Sequence, residues 1–322
     1  MNKNAAIGIF DSGLGGLTVA KEIAQFMPDE SLVYVGDQAR CPYGPRAQDQ
    51  IENFVLQISH FLQQQEVKAI VIACNTATSC GIAAAQSHFD IPIVGVINAG
   101  ARAAARRTRS GKIAVIGTQR TIDSRAYMKA VSQIDESLEV MGRATPELTT
   151  IVESNQVEEA VAQCAQKQGE HYQLIDGYLR PLLDAKPDTL LLGCTHYPIL
   201  ERALQELAGP QVQLVCSAAE VAQELQERLE DLGLLAGSVL PQTETTTSKN
   251  QWYSSVLLTD PALPQARHTF YTTDTNTDDF AQKGADIFGL RLSEVLHLDP
   301  AILENIEVPT RRIKTSKKEQ LC

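Results

Sequence analysis

Two short segments carry the residues best suited to chemistry. AIVIACNTATS at 69–79 and TLLLGCTHYPI at 189–199 each run from an apolar stretch, through a small residue, to a cysteine with polar neighbours. Cys74 and Cys194 therefore stand in matched contexts, 120 residues apart. Each apolar stretch predicts a parallel strand. Each thiol then falls at a strand's C-terminal end, where open α/β sheets bind ligands. A helix N-terminus just beyond it favours a thiolate and draws the thiol's pKa from about 8.5 toward neutrality. A lone free cysteine is most often a small buried apolar residue. Two in matched contexts argue for a shared task.

Two thiols suit one type of reaction. Inverting a carbon acid requires a base on one face of the carbon and a conjugate acid on the other. A single base tends to return the proton to the side it came from. One thiol must begin as thiolate and the other as thiol, with the roles exchanged in the reverse direction.

The neighbouring residues would tune such a pair. His196 lies two residues after Cys194; an imidazole titrates near pH 6.5 and can relay a proton or stabilise a thiolate. Asp11 ends the apolar run IGIF, although Asp11-Ser12 alone reads as a helix N-cap. The loop DSGLGG exposes backbone N–H groups suited to an anion, but it is neither a dinucleotide fingerprint nor a P-loop. Ser12, Asn75, Thr76 and Thr195 offer hydroxyl or amide groups that, with helix N-terminal amides, would hold carboxylates. Tyr43 sits in the turn RCPYGPR at 40–46, a candidate pocket rim and equally a turn without a ligand role.

These residues need a scaffold, and the chain supplies one. Strand-like runs at 6–10, 32–35, 69–73, 93–96, 112–117, 189–192 and 214–215 alternate with helical stretches at 17–26, 51–65, 76–88, 120–131, 156–168, 177–185 and 218–232. The runs are apolar throughout, as expected of strands covered on both faces. The alternation predicts parallel sheets with crossover helices. The two cysteine segments are consistent with two related α/β halves. A length of 322 residues agrees with two domains.

Composition narrows the function class. A net charge of −11 and a pI near 5.1 argue against nucleic acid or an anionic membrane as partner. The basic segment RAAARRTR at 102–109 has no aromatic residue for base stacking and reads as a solvated helix face. No run reaches the apolar length of a membrane span, and the apolar piece of MNKNAAIGIFDSG is too short for a signal peptide. A cytoplasmic protein is expected. Its seven cysteines are odd in number and scattered, without C-x-x-C or zinc spacing, so free thiols are expected. Residues 241–264 read as a surface insertion and RRIKTSKKEQ at 311–320 as a polar tail.

Taken together and in order, IGIFDSGLGGLTV, YVGDQARCPYG, ACNTAT and GCTHYP resemble the glutamate racemases. The resemblance covers roughly residues 5–240 and resumes at HTFYTTD, 268–274. It implies an α/β fold of two pseudo-symmetric domains with mainly parallel sheets and the active site in the cleft between them. Residues 1–98 with 211–322 would form the first domain, closed by the C-terminal part of the chain and carrying Asp11 and Cys74. Residues 99–210 would form the second, carrying Cys194 and His196. The resemblance implies no cofactor, neither pyridoxal phosphate nor metal, and a homodimer that makes D-glutamate for peptidoglycan. By motif, Cys74 would take the α-proton of D-glutamate and Cys194 that of L-glutamate, supported by Asp11 and His196 respectively. Ser12, Tyr43, Gly44, Asn75, Thr76, Thr118, Thr121 and Thr195 would hold the substrate. Asp37 and Glu153 match further acidic positions of the family.

Some features depart from the family pattern. Val96-Ile97-Asn98-Ala99-Gly100 stands where a Glu-Pro-Gly turn is usual, and Thr145-Pro146 where Cys-Pro is common. Rival readings are a racemase for aspartate or a hydantoin, a binding protein without catalysis, and a nucleic-acid-associated protein acting through 102–109. His196 after GCT separates the first, since aspartate racemases tend to carry Glu there.

Overall fold

A computed structural model of the chain describes residues 2–236, 266–292 and 294–307. The insertion at 241–264 and the tail at 311–320 lie outside the described residues. Among the described residues there are ten strands: β1 Ile7–Asp11, β2 Leu32–Gly36, β3 Ala69–Ile72, β4 Ile93–Gly95, β5 Lys112–Gly117, β6 Glu139–Ala144, β7 Thr189–Gly193, β8 Gln213–Val215, β9 His268–Thr272 and β10 Val295–His297. They form a six-stranded sheet in the order β10-β9-β2-β1-β3-β4 and a four-stranded sheet in the order β6-β5-β7-β8. Every pairing is parallel.

The strands form where apolar runs can be covered on both faces. All residues of β1, β3 and β7 are buried. In the first sheet, helices Leu17–Phe26 and Ala218–Asp231 share one core with Ile7, Ile9 and Val71. Helices Gln48–Gln64 and Asn75–His88 share the other with Phe10, Ile70 and Ile72. The second sheet is covered in the same way, by helices Val96–Arg107 and Ala126–Ile134 on one face. Helices Val157–Gln166, Glu170–Leu183 and Glu201–Ala208 cover the other.

One topology occurs twice. The order β2-β1-β3-β4 recurs as β6-β5-β7-β8. In each copy the chain moves outward on one side of the first strand and then returns to the other. The crevice at such a reversal is where open α/β sheets bind ligands. Asp11 ends one of the strands flanking the first reversal, and Cys74 follows the other. Thr118 and Cys194 follow those flanking the second.

Several boundaries differ from the sequence expectation. β8 pairs with β7, Gln213 opposite Thr189, so residues 213–215 belong to the second sheet and not to the first domain, where a boundary at 210 put them. The boundary at 98/99 falls inside helix Val96–Arg107, whose Val96 and Ala99 face the first sheet's core and whose Ile97 and Ala101 face the second's. That helix also takes up Asn98 to Gly100, where the family has a turn. The single helix expected at 120–131 is two, Gln119–Asp123 and Ala126–Ile134, broken at Arg125 with φ 53°. The C-terminal part of the chain adds β9 beside β2 and β10 beside β9, extending the first sheet. Within the basic segment, Arg102 bonds Glu224 at 2.5 Å and Arg106 pairs with Glu220, both on helix Ala218–Asp231. Acidic partners thus occupy two of the charges on which a nucleic-acid reading relied.

Candidate active site

Cys74 caps the N-terminus of helix Asn75–His88. Its Sγ accepts the Ala77 N–H at 3.5 Å and lies 3.8 Å from Ser12 Oγ. The side chain is 5% exposed. Burial pushes the thiol well above its ordinary pKa, and the Asp11 charge adds to this, against the pull of the Ala77 N–H and Ser12. The lowering expected of a helix N-terminus is therefore reversed at Cys74, because desolvation of the charged form outweighs one N–H.

Cys194 follows β7 and precedes a short 3-10 turn, Tyr197–Leu200. Its Sγ lies 3.7 Å from His196 Nδ1 and 3.9 Å from Thr149 Oγ1. His196 Nε2 in turn lies 2.8 Å from Glu153 Oε1. This makes a linear thiol–imidazole–carboxylate array. Burial acts to lower the His196 pKa, but hydrogen bonds to Cys194 and Glu153, with the charges of Cys194 and Asp11, drive it well above its ordinary value. Glu153 is held low, chiefly by its hydrogen bond from His196. An imidazolium donating Nδ1–H to sulfur and Nε2–H to carboxylate satisfies both shifts.

Asp11 is fully buried where the two halves meet. Its Oδ2 accepts the N–H groups of Gly16 at 2.9 Å and Gly13 at 3.2 Å. Thr195 Oγ1 donates to it from the other half at 3.4 Å. Burial raises the Asp11 pKa, while the His196 charge and the N–H groups of Gly16, Gly13 and Ser12 oppose the rise. Asp11 thus anchors the loop before helix Leu17–Phe26, although the N-cap of that helix is Gly16 and not Asp11. It also acts by charge on Cys74 and His196.

The approach across the seam is close. A Cβ on Gly15 would lie 2.5 Å from Thr195 Oγ1 and 2.6 Å from His196 Nδ1, so only glycine fits. Thr18 Oγ1 reaches the Thr195 carbonyl at 3.4 Å. Elsewhere along the seam three hydroxyls converge. Thr76 Oγ1 is 2.8 Å from Thr118 Oγ1 and 3.3 Å from Thr121 Oγ1, and the last two are 3.0 Å apart. Gly44 backs onto them, since a Cβ there would lie 3.2 Å from Thr118 Cβ.

Asp37 and Tyr43 are engaged differently. The Asp37 carboxylate takes Arg40 Nε at 2.7 Å, Thr273 Oγ1 at 3.0 Å and the Tyr43 hydroxyl. Asp37 is fully buried and Tyr43 is 1% exposed. This carboxylate anchors the RCPYG turn to the end of β9.

Residues that carried no signal in the sequence also belong to the site. Thr149 lies on helix Glu147–Glu153, too short to show periodicity. Tyr127 reads as an ordinary core aromatic, yet its hydroxyl donates to Asn75 Oδ1 at 2.6 Å. Thr145 and Tyr197 exchange hydrogen bonds of 2.8 Å in the core beneath Cys194, which gives the Thr145-Pro146 departure a local role. Among the described residues no three His, Cys, Asp or Glu side chains converge in a metal-binding arrangement.

Comparison with known proteins gives the class to which this doubled parallel α/β architecture belongs, that of the amino-acid racemases. The sequence profile of the Asp/Glu/hydantoin racemase family matches residues 16–225. A glutamate racemase from Lysinibacillus sphaericus is 42% identical over 235 residues, 73% of this chain and 85% of that protein. One from Carnobacterium is 37% identical over 304 residues, 94% of this chain and 98% of that protein. Among solved structures, the Bacillus anthracis glutamate racemase isoform RacE1 superposes with a TM-score of 0.78 at 38% identity, covering 92% of this chain and 98% of that one. A Francisella tularensis glutamate racemase in complex with D-glutamate superposes with a TM-score of 0.74 at 28% identity, covering 92% of this chain and 98% of that one. The chain belongs to the glutamate racemase family, within the Asp/Glu/hydantoin racemases.

Proposed function

We propose that the protein interconverts L- and D-glutamate by two-base proton transfer between Cys74 and Cys194. The observation that carries this reading is the pair of thiols at equivalent strand ends of the doubled topology, each within the electrostatic reach of the other. Cys74 takes the α-proton of D-glutamate and Cys194 that of L-glutamate. The opposite thiol delivers a proton to the other face. His196, held charged by Glu153, stands beside the Cys194 sulfur as a proton donor. Asp11 sets the charge balance between the two sides. The Thr76, Thr118 and Thr121 hydroxyls, with Ser12, Asn75 and Thr195, supply donors for the substrate's two carboxylates. Tyr43, Gly44 and Asp37 shape the wall behind them. Both thiols are nearly sealed, so glutamate enters as the two halves part at the Gly15–His196 seam.

The reaction requires no cofactor in this reading. Its D-glutamate feeds peptidoglycan synthesis in the cytoplasm, and the active species is a homodimer. In this reading the first domain carries Asp11 and Cys74 and the second carries Cys194 and His196. No described helix is long and apolar enough to cross a membrane.

The test is incubation of each enantiomer separately in D2O with pure protein, a chelator and no cofactor. Loss of optical rotation with deuterium entering the product α-carbon is expected from both. Cys74→Ala and Cys194→Ala should each lose racemisation by roughly 10²–10⁴-fold or more, the scale of one acid–base group. Folded wild-type protein with neither rotation change nor exchange overturns the reading.

A further inference from the structure

Tyr127 is 2% exposed and lies on helix Ala126–Ile134 of the second half. Its ring is gripped by backbone. A Cβ on Gly193 would come within 3.1 Å of it and one on Gly100 within 3.2 Å. Gly193 directly precedes Cys194, and Asn75 directly follows Cys74. One rigid side chain therefore braces the neighbours of both thiols, across the seam.

Its hydroxyl has one proton to donate, and burial keeps that proton in place by raising the phenol's pKa. The acceptor it meets is Asn75 Oδ1, at 2.6 Å. That bond fixes which way the Asn75 amide faces. The carbonyl end is committed to Tyr127, so the NH2 end faces away from it. Among the described residues the NH2 has no protein partner, although Asn75 is 3% exposed. An amide whose acceptor is satisfied and whose NH2 bonds no described residue is prepared for an anionic acceptor from outside the protein.

We propose that Tyr127 is a positioning residue for the reaction, its hydroxyl orienting the Asn75 amide so that the N–H donors meet a substrate carboxylate. This rests on the reading of the site as a glutamate racemase with Asn75 in contact with substrate. Without the hydroxyl the amide is free to turn its oxygen toward the carboxylate, and binding weakens. A contact made equally in ground and transition states appears in KM rather than kcat.

The experiment is a double-mutant cycle of Tyr127→Phe and Asn75→Ala, with kcat and KM measured for both enantiomers and melting temperatures recorded. Tyr127→Phe is expected to raise KM about tenfold for L- and D-glutamate alike, with kcat changed less than about threefold, the size of one hydrogen bond to a charged group. In the Asn75→Ala background it is expected to add nothing, because its effect runs through that amide. General loosening of the fold would instead multiply with Asn75→Ala, and multiplied losses overturn the proposal. So do wild-type kinetics in Tyr127→Phe, or a loss confined to kcat. Wild-type protein without racemase activity overturns the underlying reading and this inference with it, whereas an active wild type with an unaffected Tyr127→Phe overturns the inference alone.

Discussion

Thr195 Oγ1 lies 3.4 and 3.5 Å from the two carboxylate oxygens of Asp11, joining the strand end of one half to the residue between Cys194 and His196 in the other. The sequence motif assigns Asp11 to Cys74 alone. The geometry makes it common to both sides, since its charge acts on the Cys74 thiol and on the His196 imidazole. In Asp11→Asn the shape stays and the charge goes. Both pKa values should then fall: the Cys74 thiolate forms at lower pH, and His196 loses its proton at lower pH. kcat/KM is expected to drop roughly 10²-fold. Thiolate absorbance and the imidazole NMR titration read the two shifts separately. Movement of the cysteine alone would return Asp11 to the narrower role.

Glu153 is the second carboxylate with a predictable titration. The folded-state pKa of His196 is raised, so its stabilising contribution is complete below the unfolded value near 6.5 and fades as pH rises through the folded value. Glu153→Gln removes the partner that helps to hold the proton. The variant should lose stability relative to wild type on the acidic and neutral side, and the difference should shrink at alkaline pH. Melting curves across that range test the sign. The alkaline limb of the pH–rate profile should also move to lower pH, with kcat/KM down roughly tenfold at neutrality. A melting difference that grows with pH would contradict the charged imidazole.

Gly15 tests the seam itself. Its missing Cβ is what allows the DSGLGG loop to rest on His196 and Thr195, and Gly15→Ala places a methyl 2.5–2.6 Å from their side-chain atoms. Something must move, and Thr18 reaches the Thr195 carbonyl across that seam at 3.4 Å, a long contact. Separation at the seam takes His196 away from its present place near Asp11. The expected outcome is a loss of kcat/KM of roughly 10²-fold or more, the scale of a misplaced catalytic group, with a melting temperature within a few degrees of wild type. Kinetics near wild type would show that the loop yields without disturbing the imidazole.

What could be read from the sequence follows physical range. Strands such as AIVIA and TLLLG announce themselves because both faces are buried, and the cysteines that end them come with that signal. His196 was legible through its spacing from Cys194, and the resemblance of four motifs supplied Glu153 and the threonines. β6 was missed because none of its residues is fully buried, so EVMGRA shows no continuous apolar run. The break at Arg125 was missed because a left-handed φ there leaves no mark on the apolar pattern around it. The Tyr127–Asn75 and Asp11–Thr195 contacts span 52 and 184 residues and depend on how the halves meet, which no local pattern encodes.

Thr149 shows how such an unannounced contact can be tested. Its hydroxyl is the second polar group beside the Cys194 sulfur, 3.9 Å away against 3.7 Å for His196 Nδ1. Donation from it would help to hold the sulfur in place beside the imidazole. Thr149→Val keeps the side-chain shape and removes the O–H. The sulfur then loses one of its two polar neighbours, so kcat/KM should fall. At neutral pH a loss of about three- to tenfold is expected, the size of one modest hydrogen bond. The two enantiomers have equal free energy in an achiral solvent. Their kcat/KM values must therefore fall together, and any asymmetry is confined to the separate kcat and KM values. Thr149→Ser restores the donor and should restore kcat/KM. A Val variant with wild-type kcat/KM would mean that His196 alone positions the Cys194 sulfur.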